Sequence, residues 1–202
     1  MVKYNILLTG VGGQGLMLLS AIIGEASTMR GVKVVTQEQH GLAQRSGSIS
    51  AHVRLGDAYS PMVPIGEADM VIAMEATEAL RYVEYLKPGG AVIMNKRIMH
   101  PVIETGELVK RRRENLQYVT LDQVVEQLRK RTDRVYTIDA NAFAEKAGNP
   151  RTENVVLLGA ASRVEGFPLP RDALVEAVKK SVPERTVAAN LAAFELGEKS
   201  LS

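Results

Sequence analysis

The sequence predicts an α/β fold: a Rossmann-like, doubly wound, mainly parallel sheet followed by a helical C-terminal section. Three observations lead there. Apolar strand-like runs alternate with helix-period segments over the first 150 or so residues. The first strand runs straight into a glycine-rich turn, Gly10-Val11-Gly12-Gly13-Gln14-Gly15, ahead of a helix. From about residue 153 the strand pattern stops and helical runs take over.

Residues 4–9 read as a buried strand and 14–30 as a helix, with Leu16, Leu19, Ile23 and Ala26 at helical spacing and Gly31 as its stop. The near-continuous apolar run 32–36 is a second strand, which completes a βαβ unit. Residues 37–47, polar and glycine-punctuated, have loop composition. Residues 48–55 alternate, which predicts a half-exposed strand with His52 on its polar side. Two prolines keep 59–64 extended.

A second βαβ unit follows: a strand at 70–74, a helix from 76 to 86, a Lys87-Pro88-Gly89-Gly90 stop and a strand at 91–95. Residues 101–119 are irregular, with a short strand expected at 118–120. A helix at 122–131, a strand at 135–138 and a helix at 140–147 complete the alternation. The final helices are broken at Gly166-Phe167-Pro168 and at Pro183. Without a linker or repeat, residues 1–200 read as one domain. Met70, Met74, Met94 and Met99 read as core filler.

Composition excludes several classes of function. A net charge of +2, 4% aromatics and no Trp argue against a nucleic-acid binder. The absence of cysteine rules out disulfides and thiolate-ligated iron–sulfur clusters made by this chain. His40, His52 and His100 lack zinc-ligand spacing. With no signal-peptide pattern and no apolar run of membrane length, a cytoplasmic protein is expected.

Two segments carry candidate chemistry. Gly10, Gly12 and Gly15 fit G-x-G-x-x-G, and the helix start behind them is an electropositive end suited to phosphate. Gly13, adjacent to Gly12, doubles the fingerprint, and the Gln14 amide at the helix start is aimed at whatever sits there. Such a turn can also bind nothing. The dinucleotide version needs an acidic residue about 20 positions on, where Glu38 stands. That reading is weakened because an alternating strand, not a helix, comes next.

The second segment, residues 38–48, holds Glu38, His40, Gln44, Arg45, Ser46 and Ser48. It should lie at the carboxyl edge of the sheet beside the glycine turn, where open α/β sheets bind ligands. Arg45 can grip phosphate or carboxylate bidentately. Glu75 and Glu78 suit a helix start more than acid–base chemistry. The basic runs 110–113 and 129–131 read as solvated surface. No residue is assigned a catalytic role.

In order along the chain, GVGGQG, EQHGLAQRSGSISAHVRLG, Ser60-Pro61 with Pro64, GEADMVIAMEATEALR, NVVLLGAASRVEGFPLP and NLAAFELGEKS resemble one family. It is the gamma-type subunit of the 2-oxoacid:ferredoxin oxidoreductases, and within it the indolepyruvate branch. The likeness spans nearly the whole chain and is loose over 96–135. It implies a small subunit of an enzyme that oxidatively decarboxylates arylpyruvates to aryl-acetyl-CoA and reduces ferredoxin. Thiamine diphosphate, magnesium and iron–sulfur clusters would sit on a large alpha subunit, with coenzyme A as co-substrate, and the isolated chain would be inactive. Gly10, Gly12, Gly13, Gln14, Gly15, Gln44, Arg45 and Ser46 then become a candidate coenzyme A phosphate site or a subunit contact. A stand-alone NAD- or flavin-binding Rossmann protein and a purely structural scaffold subunit are the alternatives.

Overall fold

The computed structural model describes residues 3–40, 47–99 and 119–201, and the backbone alone of His40. The strands are β1 (Tyr4–Val11), β2 (Val34–His40), β3 (Ser48–Leu55), β4 (Ala68–Ala73), β5 (Leu86–Asn95) and β6 (Val135–Ile138). The helices are α1 (Leu16–Met29), α2 (Ala76–Arg81), α3 (Leu121–Arg129), α4 (Ala140–Lys146), α5 (Glu153–Ser162), α6 (Arg171–Ser181) and α7 (Val187–Lys199). All six strands form one sheet in the order β2-β3-β1-β4-β5-β6. β1, β4, β5 and β6 are parallel, whereas β3 runs antiparallel to both of its neighbours. The α/β class and the mainly parallel sheet therefore agree with the sequence.

The first βαβ unit does not close as expected. β2 is not the neighbour of β1, because β3 folds back between them and pairs with both. Residues 37–40, expected in a loop, instead extend β2 and pair with residues 49–52. β3 is consequently an interior strand, not a half-exposed one, and Ser50 through Leu55 are all buried. Its alternation is real, but the polar side chains on one face are covered by the extended segment after it. Arg54 donates to the Ser60 and Met62 carbonyls and to Asn5 Oδ1, each at 3.0 Å. His52 is fully buried, accepts the Val63 N–H at Nδ1 and meets Tyr85 edge-on. An Nδ1 that accepts a hydrogen bond carries no proton, and burial, which pushes the pKa below the usual range, favours the same neutral ring.

Other boundaries move for local reasons. The expected 76–86 helix stops at Arg81, continues as a tight turn at Val83–Tyr85, and yields to β5 at Leu86. Thr120, expected in a strand, caps α3 in a reciprocal box with Gln123, which satisfies two helix-end donors. Tyr118 and the basic run 110–113 lie outside the described residues. In the 129–131 run, Arg131 is structural: both Nε and Nη2 donate to the Leu86 carbonyl. Met70, Met74 and Met94 are core residues, but Met99 is only half-buried.

The sheet has two covers. Ile6, Leu8, Ala51, Val53, Met70 and Ile72 pack under α1, α5, α6 and α7, and Leu7, Val71, Val92 and Met94 under α2 and α3. α5 is buried from Asn154 to Ala161, which explains a helix apolar nearly all round. α7 crosses it through two glycines. A Cβ on Gly159 would lie 2.1 Å from the Phe194 carbonyl oxygen, and one on Gly197 2.0 Å from that of Val156. Among the described residues no helix is long and apolar enough to cross a membrane.

Candidate functional site

The glycine turn leaves the carboxyl end of β1, and its residues hold its shape from within. Gly13 and Gly15 take left-handed backbone at φ 97° and 76°, a region L side chains rarely adopt. Gly10 is needed for space: a Cβ there would lie 2.7 Å from Gln14 Oε1 and 2.9 Å from Met74 Cβ. The Gln14 side chain points inward, not at a ligand. Its Oε1 accepts the Val11 N–H at 2.7 Å, and its Nε2 donates to the Met74 carbonyl at 3.3 Å. Gln14 is thus a clamp between β1 and the end of β4.

The turn reaches two neighbours. The Gly12 N–H donates to the Gly47 carbonyl at 3.0 Å, so the end of the 41–47 connection does adjoin the turn. Gln44, Arg45 and Ser46 themselves lie outside the described residues. On the other side, Asn154 Nδ2 donates to the Gly15 carbonyl at 3.1 Å while its Oδ1 accepts the Val155 N–H. A Cβ on Gly15 would lie 2.7 Å from that Nδ2, so the third glycine lets the start of α5 dock against the start of α1.

Two helix N-termini thereby converge on one cleft of about 450 Å³, lined by Gly13, Gln14, Gly15, Leu18, Arg97, Pro150, Arg151, Glu153 and Asn154. Neither α1 nor α5 has a side-chain hydrogen bond from its N-cap residue. Positive helix ends, two guanidinium groups and a glycine backbone are a donor set for an anion, phosphate in particular. Glu153 is the opposing charge. It accepts from Asn141 Nδ2 at 2.8 Å and Asn95 Nδ2 at 3.3 Å and pairs with Arg97 at 3.4 Å. Burial pushes its pKa above the usual carboxylate range, and Arg97 partly offsets this.

Beside the turn lies a second polar cluster. Buried Glu75 accepts from the Glu78 N–H, Thr77 Oγ1 and the Met99 N–H. It caps α2 as expected for a carboxylate at a helix start. Glu78 joins Ser48, at the start of β3, to Arg81. These carboxylates anchor loops.

Arg97, Arg151 and Glu153 have no motif in the sequence, because they meet the turn only through the fold. The requirement for an adenine dinucleotide fares worse. Glu38 belongs to a strand separated from β1 by β3, about 10 Å away across two strand spacings, and pairs with Ala51. Among the described residues no group of three or more His, Asp or Glu side chains is arranged to hold a metal ion.

Comparison with known proteins gives this geometry a family. The model of the pyruvate ferredoxin/flavodoxin oxidoreductase family matches residues 5–200. The chain belongs to that family. It is 43% identical over 202 residues to the indolepyruvate oxidoreductase subunit IorB of Thermococcus kodakarensis, covering 99% of this chain and 96% of that one. It is 37% identical to the IorB subunit of Methanothermobacter thermautotrophicus, with 96% of each covered. The gamma subunit of a keto/oxoacid ferredoxin oxidoreductase from Geobacter sulfurreducens superposes with a TM-score of 0.70 at 25% identity over 98% of both chains. The fold recurs in a 2-oxoglutarate:ferredoxin oxidoreductase from Magnetococcus marinus, with a TM-score of 0.69 at 20% identity. All of this chain matches 31% of that longer one. The protein is thus a small, IorB-like subunit of the 2-oxoacid ferredoxin oxidoreductase type, and the family resemblance extends over nearly the whole chain.

Proposed function

We propose that this chain is the small subunit of an enzyme that oxidatively decarboxylates indolepyruvate and related arylpyruvates to aryl-acetyl-CoA, carbon dioxide and reduced ferredoxin. The observation that supports the substrate class most is the end-to-end 43% identity to an indolepyruvate oxidoreductase subunit. A 2-oxoglutarate synthase subunit, KorC of Methanothermobacter thermautotrophicus, is only 28% identical.

Thiamine diphosphate, held with magnesium by a large partner subunit, supplies the electron sink for decarboxylation. Iron–sulfur clusters on that partner would supply the electron path to ferredoxin. A chain without cysteine has no thiolates to ligate such clusters, which is consistent with the division of labour. Alone it has no oxidoreductase activity. Its own contribution is the glycine-turn cleft, which binds the phosphates of coenzyme A. Gly13 and Gly15 bring backbone close, the starts of α1 and α5 present amides, and Arg97 and Arg151 supply charge. Arg45, Gln44 and Ser46 extend this site from the 41–47 connection or contact the large subunit.

The test is reconstitution with the large subunit and steady-state reduction of ferredoxin. Indolepyruvate should exceed 2-oxoglutarate and pyruvate at least tenfold in kcat/KM, with strict dependence on coenzyme A and on this chain. Preference for 2-oxoglutarate, or equal turnover without this chain, would overturn the assignment.

A further inference from the structure

Among the described residues β2 is a sheet edge, and apart from Glu38 it has few of the usual defences against pairing. It is seven residues long, contains no Pro or Lys, and matches β3 one-to-one from Val34 to His40 with no bulge. Thr36 at its middle is exposed. Among the described residues no strand lies beyond it. Large side chains from the 59–62 segment flank this edge. Fully exposed Tyr59 sits with its ring under Lys33 Nζ at 5.9 Å, beside the start of β2. Met62 receives Gln39 Nε2 at its sulfur at 3.6 Å, beside the other end.

We propose that β2 pairs with β2 of a second copy of this chain, antiparallel across a two-fold axis at Thr36, to join two sheets into one. The spacing of the flanking groups selects this occupant. Lys33 and Gln39 are equidistant from Thr36, so the two-fold puts residue 33 of one copy opposite residue 39 of the other. Tyr59 of each copy then comes to the end of β2 where the other carries Met62, a sulfur–aromatic pairing made twice. The same register opposes Thr36 to Thr36, Val35 to Gln37 and Val34 to Glu38, and places no like charges face to face.

Because the native chain has no cysteine, a single introduced thiol in the isolated chain reports only on itself. The test uses the full chain, alone and in complex with its large subunit. Sedimentation should give a dimer of the chain at micromolar concentration. Thr36→Lys, which sets two ammonium groups against each other on the axis, should raise its dissociation constant at least tenfold with unchanged circular dichroism. Mixing Thr36→Lys with Thr36→Glu chains should restore dimers containing one of each. Thr36→Cys should cross-link to itself on mild oxidation, while Glu126→Cys on α3 should not. A monomeric chain, a dimer indifferent to Thr36→Lys, or a thiol introduced at position 36 that is shielded only when the large subunit binds would each overturn the proposal.

Discussion

Two sets of glycines do opposite work in this molecule. At the α5–α7 crossing, Gly159 and Gly197 have ordinary helical backbone, and their neighbours' carbonyl oxygens stand where a Cβ would be. In the turn after β1, Gly13 has left-handed backbone and nothing within 4 Å of the Cβ position. The crossing needs absent volume, whereas Gly13 needs only a backbone conformation and leaves the space above it open. Gly10 and Gly15 lie between these extremes, each facing a side chain that holds the turn. A glycine's role thus follows from what its missing Cβ would meet.

The crossing should suffer most from added volume. Gly197→Ala or Gly159→Ala forces two buried helices apart and should lower stability by about 3 kcal/mol, the upper end of ordinary overpacking. Urea unfolding of each variant checks this. A loss under about 1 kcal/mol would show that the helices can slide apart freely.

Gly10→Ala and Gly15→Ala come next, at about 1–3 kcal/mol. The first pushes on the Gln14 clamp. The second combines left-handed strain with displacement of Asn154. Both should also weaken coenzyme A binding, since the cleft is built on those contacts. Gly13→Ala should cost about 1 kcal/mol from backbone strain alone. If Gly13→Ala instead destabilises as much as Gly197→Ala, the contrast between volume and conformation fails.

These contrasts mark what could be read from the sequence. The α1 positions Leu16, Leu19, Ile23 and Ala26 were legible because helical spacing is local, and all four are buried. β6 and the three C-terminal helices follow from equally local patterns. The β2–β3 hairpin was not, because polar Gln37, Gln39 and His40 imitate a loop while their backbone pairs with β3. Alternation in β3 suggests exposure, since nothing local reveals that residues 56–63 return to cover His52 and Arg54. In the site, the glycine turn was visible as a motif. Its partners were not: Asn154 lies 139 positions from Gly15, and Arg97 and Arg151 reach the cleft from separate element ends.

The smallest expected effect is a pH dependence. Glu153 repels an anion in the cleft while ionised, and protonation removes that repulsion. Its pKa is raised by burial, so affinity for coenzyme A should rise as pH falls through a window above the normal carboxylate range. Glu153→Gln should bind a few-fold more tightly near neutral pH and lose that dependence. The fold's stability should shift in the same sense. Ionising this half-buried carboxyl is unfavourable, so Glu153 lowers stability as pH rises from the unfolded to the folded pKa. Binding and unfolding titrations of the wild type and the variant check both signs.

The central claim is that this cysteine-free chain contributes the coenzyme A phosphate site of the enzyme. Its most direct measurement is the kinetics of the reconstituted complex carrying Arg151→Ala or Arg97→Ala, with coenzyme A and indolepyruvate varied separately. Charge-assisted hydrogen bonds of ~1.5–3 kcal/mol predict about a ten- to hundred-fold rise in KM for coenzyme A, with KM for indolepyruvate unchanged. Unchanged KM for coenzyme A in both variants would contradict the account and leave the glycine turn as a fold element alone.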